Sequence, residues 1–237
     1  MCRLHENNGP ILRVNEGVFG PGALRIGGQY LRIPRAECPA LDLHGDVRLS
    51  VVAWVKREPK PDDPDCCEFV AGVWNEERAA RQYGLFLNLR EGALLPEQRG
   101  PTPYGEQVCG HVSACGGPTP GYEWCTDASI GLTPVPFGVW QCVGFTYDGA
   151  LVRSYLDGHL DARPERNPYT FTDPVYDGGT GGADFMIGAN AVPDVGIGNF
   201  FCGLMGGVAV FDRALLDNEM ARLAAVTPGT KSGTNGR

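Results

Sequence analysis

A chain of 237 residues suits one large sandwich or barrel with a full core better than two domains. Its 34 glycines and 19 prolines follow no strict period, which fits many short strands joined by tight turns and excludes a collagenous chain. The net charge of −8, with no cluster of Lys and Arg interleaved with aromatics, argues against nucleic acid and favours neutral over polyanionic glycans as partners.

No stretch approaches the ~18 apolar residues of a membrane helix, so membrane insertion is not expected. Met1–Asn15 lacks a charged-then-apolar secretory leader. As written the chain reads as cytoplasmic, or as secreted if a leader has been removed. The nine cysteines are an odd number, so in a secreted protein at least one stays unpaired or bonds another chain.

Strand signals dominate in chain order. Ala23–Ile33 (ALRIGGQYLRI) predicts two short strands around a hairpin-type turn at Gly27-Gly28. Arg48–Lys56 alternates and ends at the charged, Pro-rich loop Arg57–Asp65. Glu68–Trp74 and Tyr83–Leu89 predict two more strands, with room for one helical turn in Glu76–Gln82. Trp140–Tyr147 and Val152–Leu156 flank Asp148-Gly149, a favoured tight-turn pair, and Asp157-Gly158 closes the second strand. Asp184–Ile187 and Leu204–Phe211 complete the set. Only Asp217–Ala225 reads as a helix, with Leu216, Met220 and Leu223 on one face and Asp217 placed to cap it. Trp54, Trp140, Phe145 and Phe211 are assigned to the core. One domain is expected over 1–227, with a long insertion at about 91–139 and a flexible tail at Pro228–Arg237.

The insertion carries the strongest binding signal. Gly110–Gly131 combines His111, Ser113, Tyr122, Glu123, Trp124 and Asp127 with glycines that let the backbone turn sharply. Saccharides are held by aromatic faces against their C–H surfaces and by planar polar groups on their hydroxyls. Trp74, Asn75, Arg81 and Tyr83 offer a second set beside strand ends. The plainer alternative is that Tyr122 and Trp124 merely pin a long loop to the sandwich.

These segments, in this order, resemble a known family. Gly20–Leu24 (GPGAL), Tyr30–Ile33 (YLRI) and Leu49–Lys56 (LSVVAWVK) look like the opening of the concanavalin A-like lectin/glucanase superfamily, in the style of its laminin G-like domains. Trp140–Gly149 (WQCVGFTYDG), Arg153–Gly158 (RSYLDG), Phe185–Asn190 (FMIGAN) and the run ending in VAVFDRAL are similar to its later strands. The resemblance implies an all-β, two-sheet antiparallel jelly-roll sandwich with a short C-terminal helix. It also implies a class of domain that hosts lectins, hydrolases, lyases and adhesion modules alike.

Specific chemistries have thinner support, and no catalytic residue is assigned. Glucanases of this fold present carboxylates as E-x-D-x-x-E, a run this chain lacks, and Glu76-Glu77 on a strand would face opposite sides. Cys66-Cys67, and Cys109, Cys115 and Cys125 around His111, match no usual zinc spacing. Related domains often bind one Ca²⁺, with acidic residues where this chain has Gly206-Gly207. Asp148, Asp157, Asp177, Asp184 and Asp194 are the alternative calcium ligands, though aspartate in turns usually serves the turn. The reading chosen is a module binding an oligo- or polysaccharide. The alternatives are a glycoside hydrolase or polysaccharide lyase with its site in the 104–131 loop, and a protein-interaction module.

Overall fold

The computed structural model describes residues 2–60, 67–87, 106–122 and 125–225. The strands in chain order are β1 His5–Asn7, β2 Leu12–Val14, β3 Ala23–Gly27, β4 Tyr30–Ile33, β5 Leu49–Arg57, β6 Glu68–Val73, β7 Tyr83–Leu87, β8 Val108–Val112 and β9 Ala128–Ile130. There follow β10 Trp140–Tyr147, β11 Leu151–Leu156, β12 His159–Leu160, β13 Tyr169–Thr170, β14 Phe185–Ile187, β15 Asn190–Val192, β16 Gly196–Gly198 and β17 Cys202–Phe211, then the helix α1 Asp217–Ala224. One sheet runs β1-β4-β14-β6-β7-β8-β9 and the other β12-β11-β10-β5-β17-β3-β2, with β13 beside β11. Every named ladder is antiparallel.

Burial on both faces explains the long apolar runs. Along β5, Leu49, Val51, Ala53 and Val55 face the partner sheet, while Val52 and Trp54 join a second cluster on the outside with Met220 of α1. The period-2 pleat sends alternate residues into two different cores. Gly206 falls where the chain segment at Val18 closes over this outer face. A Cβ there would stand 2.6 Å from Val18 Cγ1 and 3.3 Å from the Trp140 ring. Close packing, not a missing metal ligand, accounts for that glycine.

Several expectations need correcting. Gly27-Gly28 does not close a hairpin: β3 pairs with β2 and β17, β4 with β1 and β14, so the turn carries the chain from one sheet to the other. β8 and β9 lie inside the expected insertion and are integral to the seven-stranded sheet, each wholly buried. Asp217 does not cap α1. Its carboxylate accepts the Tyr155 hydroxyl, while Glu219 accepts the Leu216 N–H at the helix start. Glu76–Gln82 makes a turn and not a helical one. The Asp148-Gly149 and Asp157-Gly158 turns stand as expected, the second with both residues at positive φ, as a two-residue hairpin of this twist requires. The tail beyond 225 lies outside the described residues.

One end of the sandwich is fastened by a buried ion pair. Arg57, at the end of β5, donates Nε and Nη2 to the two carboxylate oxygens of Glu68, at the start of β6, at 3.1 and 3.0 Å. Its Nη1 donates to the Val135 carbonyl at 2.7 Å, and the guanidinium lies 4.4 Å from the Phe137 ring centre. This single side chain therefore ties together two of the crossovers at that end, β5 to β6 and β9 to β10. Removing one partner strands a buried charge, so Glu68→Leu is expected to destabilise the fold by about 3–5 kcal/mol in urea unfolding. Arg57→Met combined with Glu68→Leu is expected to recover most of that loss. A single substitution within about 1 kcal/mol of wild type would contradict the role given to the pair.

Candidate functional site

The opposite end of the seven-stranded sheet presents the loops. There β6 hands over to β7 through 74–82, β8 to β9 through 113–127, and the segments 34–48 and 171–184 run alongside. Short 3-10 turns at Arg35–Glu37 and Pro39–Leu41 order the first of these, and a Cys2–Cys38 disulfide ties the N-terminus to them.

The sequence-predicted residues divide between interior and rim. Trp74, Arg81 and His111 are brought together on the outer face of the seven-stranded sheet. The His111 ring packs edge-on to Trp74 and Phe86, at 5.3 and 5.0 Å between centres, and the Arg81 guanidinium lies 5.9 Å from Trp74. His111 is 5% exposed and neither ring nitrogen has a hydrogen-bond partner. Ser113 is wholly buried, and its Oγ accepts the Gly116 N–H at 3.0 Å. Tyr83 is also wholly buried and donates its hydroxyl to the Leu41 carbonyl at 2.7 Å; burial, then Asp42, pushes its phenol pKa up. Asn75 uses Oδ1 to close its own turn on the Arg78 N–H. These side chains are buried and packed into the scaffold at this end of the sheet.

Tyr122 is half-buried on the β8–β9 loop, while Glu123 and Trp124 lie outside the described residues. Asp127 secures that loop by accepting the hydroxyls of Thr119 at 2.9 Å and Tyr169 at 3.0 Å. The dry His111 ring and the engaged Asp127 carboxylate do not converge as an acid–base pair; Glu123, a further group of the hydrolase or lyase alternative, lies outside the described residues. Catalysis needs groups within hydrogen-bond reach of substrate.

Glu76 is a structural hub that sequence reasoning treated only as one of two adjacent carboxylates. One of its oxygens accepts from Trp74 Nε1 at 3.2 Å, Asn190 Nδ2 at 2.9 Å and Asn199 Nδ2 at 3.4 Å; the other lies 3.7 Å from Arg81. Asn190 and Asn199 flank the β15–β16 hairpin, and backbone bonds from Glu76 to Ala191 and from Phe69 to Asn199 lay it along β6. The hairpin thus covers the outer-face cluster of Phe69, Trp74, Phe86 and Met186, against which its Ile197 packs.

A connected polar lattice occupies the loop end. Arg35 donates to Gln82 Oε1 at 2.9 Å and pairs with Asp42 at 2.5 Å, while Gln82 Nε2 donates to Asp42 Oδ1 at 3.1 Å. His44 sits between two carboxylates, 3.8 Å from Asp42 and 3.6 Å from Asp177. The half-buried Tyr176 stands beside it in sequence and donates its N–H to the Ser113 carbonyl at 2.7 Å. Gly116 lets the β8–β9 loop approach that tyrosine, since a Cβ there would stand 2.7 Å from the ring and its φ is +73°. Of this lattice, sequence reasoning named only Asp177, as a calcium candidate; Arg35, Asp42, His44 and Gln82 lie in segments without periodicity.

Among the described residues, the candidate calcium ligands Asp148, Asp157, Asp177 and Asp184 each accept hydrogen bonds from backbone N–H groups. Asp148 accepts two turn N–H groups and pairs with Arg153; Asp157 accepts the Cys142 N–H; Asp177 accepts the Gly179 N–H; Asp184 accepts the Arg35 N–H. Asp194 holds a positive-φ position by the β15–β16 hairpin. Among the described residues no group of three or more His, Cys, Asp or Glu could hold a metal ion. Cys115, Cys125, Cys142 and Cys202 are thiols, with burial pushing those of Cys125 and Cys142 up to about 12. No helix among the described residues is long and apolar enough to cross a membrane.

Two packed antiparallel sheets, this strand order and the closing helix define a concanavalin A-like jelly-roll sandwich. Residues 115–221, a little under half of the chain, match the Laminin_G_3 family of the concanavalin A-like lectin/glucanases superfamily. The match begins within the segment expected as an insertion and stops short of the N-terminal segments that first suggested the family. Among solved structures, domain 4 of AbnA, a GH43 extracellular arabinanase from Geobacillus stearothermophilus, in complex with arabinotriose, superposes with a TM-score of 0.56. The two are 19% identical, over 94% of this chain and 87% of that one. A candidate carbohydrate-binding protein from Bacteroides ovatus gives 0.55 at 14% identity, over 84% of this chain and 46% of that one. Botulinum neurotoxin type C, whose cell entry depends on interaction with two ganglioside molecules, gives 0.54 at 7% identity, over 94% of this chain and 46% of that one. This chain spans under half the length of the last two. No curated protein matches the sequence.

The buried His111 gives a measurable pH signature. Burial first, and then Arg81, lowers its pKa from 6.5 to about 3. Above 6.5 the imidazole is neutral whether the chain is folded or not. Below that the unfolded chain takes up a proton that the folded chain refuses, so stability falls as pH falls, by about 1.4 kcal/mol per unit until about pH 3. His111→Leu is expected to remove this component, so that the wild-type urea-unfolding free energy falls relative to the variant's between pH 6 and 4. Parallel curves would show that the ring titrates normally in the fold.

Proposed function

We propose that the protein is a glycan-binding module that takes a neutral oligosaccharide at the loop end of the seven-stranded sheet. The observation that carries this reading is the polar lattice there. Its outward members, His44 and Asp177, have side chains 37% and 55% exposed, while Arg35 and Asp42 behind them are 16% and 20% exposed and fix them in place. Planar donors and acceptors held in advance lose little freedom when they meet sugar hydroxyls. The half-buried Tyr176, next to Asp177 in sequence, and the half-buried Tyr122, on the β8–β9 loop, would supply the apolar faces. Two aspartates against one arginine and a histidine leave the patch unfavourable for acidic sugars, in keeping with the net charge of −8. The fold shared with an arabinanase domain bound to arabinotriose and with a candidate carbohydrate-binding protein supports the class of partner.

Glu123 and Trp124, between Tyr122 and Asp127 in sequence, are proposed as further contacts from the same loop. The test is a glycan array followed by calorimetric titration of the best neutral oligosaccharide, with calcium and with chelator. His44→Ala combined with Asp177→Asn is expected to weaken binding at least about tenfold, a loss of about 1.4 kcal/mol, with the melting temperature held. Trp124→Ala is expected to weaken it comparably. The reading fails if no neutral glycan binds, or if both variants bind as the wild type does.

A further inference from the structure

An opening lies at the β1 and β2 edges of the sandwich, away from the loop lattice. It is a cleft of about 400 Å³ between the two sheets, lined by Leu24, Leu31, Ile187, Met205 and Val208, with Leu4 and Arg13 among its remaining lining residues. That volume lies in the range of small-molecule sites, about 300–1,000 Å³, and such sites are mostly apolar with a few placed polar groups.

Strand register explains why the cleft has this composition. Arg13 of β2 pairs with Leu24 of β3, and Leu24 with Met205 of β17. In the other sheet Glu6 of β1 pairs with Leu31 of β4, and Leu31 with Ile187 of β14. Directly paired residues share a face of the sheet. Each wall is therefore two apolar residues deep and ends at its edge strand in a charged one. The two charged ends meet: Arg13 Nη2 donates to Glu6 Oε1 at 2.6 Å, while Glu6 Oε2 is fixed by the Ile11 N–H at 2.9 Å. The floor is dry, with Leu31, Ile187 and Met205 at 5%, 6% and 3% exposure, and Gly22 has open space where a Cβ would stand.

We propose that this cleft binds a single-chain amphiphile with an uncharged, hydroxyl-bearing head, of the class of long-chain alcohols and monoacylglycerols. The chain lies between the Leu24–Met205 and Leu31–Ile187 walls, and the head meets the Arg13–Glu6 pair. The pair is already charge-balanced, so a head carrying net charge must compete with one of its members. A hydroxyl does not: it accepts from Arg13, whose guanidinium has five N–H groups, and donates to a Glu6 lone pair.

The experiment uses the full chain with the neutral fluorophore N-phenyl-1-naphthylamine as reporter, displaced by decanol, decanoate or decylamine. Decanol is expected to displace the dye at roughly tenfold lower concentration than either ion, in proportion to one well-formed polar contact. Leu24→Trp, which fills the cleft, is expected to abolish dye binding with the melting temperature retained. Leu4→Asp, at a residue 49% exposed, is expected to weaken it and keeps the test valid if the tryptophan variant does not fold. Arg13→Ala combined with Glu6→Ala is expected to retain dye binding but lose the preference for decanol. The proposal is overturned if the wild type does not bind the dye, if the folded cleft variants bind it unchanged, or if decanoate or decylamine displaces it as well as decanol does.

Discussion

The Arg57–Glu68 pair sets the terms for the rest of the molecule. A jelly roll must pass its chain repeatedly between two sheets, and each crossover leaves backbone groups and side chains at the sandwich rim. Here one guanidinium joins the last residue of the long central strand β5 to the first of β6 and also holds the Val135 carbonyl of a second crossover. The pair is wholly desolvated, at 1% and 2% side-chain exposure, so it contributes geometry more than net energy. With that end fixed, β6, β7 and β8 pair in turn toward the other end, with one register shift between Phe69 and Ala71. There, loops can be long and polar without loosening the core.

The outer faces follow from the same layering. Neither sheet turns a polar face to water throughout. On the eight-stranded sheet Trp54 and Tyr155 are covered by α1 and by Val18 and Phe19, the last edge-on to Trp54 at 4.6 Å. On the seven-stranded sheet Phe69, Trp74 and Phe86 are covered by the β15–β16 hairpin pinned through Glu76. This is why aromatic residues that look like a sugar platform in the sequence are interior. It is also why His111, on a strand face between two aromatic rings, is dry.

Much of the fold was legible because it is periodic. Alternation marked β5, strand-like runs marked β10 and the closing strand β17, and the two Asp-Gly pairs marked their turns. The Gly27-Gly28 corner misled because a hairpin and a sheet-to-sheet crossover use the same glycine chemistry; only the pairing of Tyr30–Ile33 with β1 and β14 separates them. β8 and β9 were missed because VCGHV and ASI carry cysteine, glycine, histidine and serine in place of the usual branched residues. Gly110 is needed because a Cβ there would collide with Phe145, and Ser129 meets Ser154 across the sheets at 2.7 Å. Site residues were less legible still. Arg35, Asp42 and His44 share one segment, but Gln82 and Asp177 are far from it in sequence, and the grouping exists only once three loops are brought to one end. Composition did mark the β8–β9 loop, where Tyr122 is half-buried and Glu123 and Trp124 lie outside the described residues.

The central claim is that saccharide meets the protein at the loop end and not on the strap-covered outer face. Amide chemical-shift mapping during titration with a neutral oligosaccharide tests it most directly. The account predicts shifts concentrated at residues 42–44, 116–122 and 176–179, with the β15–β16 hairpin and the β1–β2 edge unmoved. Shifts centred on Ile197, Asn199 and Met186 would contradict it, because they would place the sugar on the face that Glu76 and its hairpin keep closed.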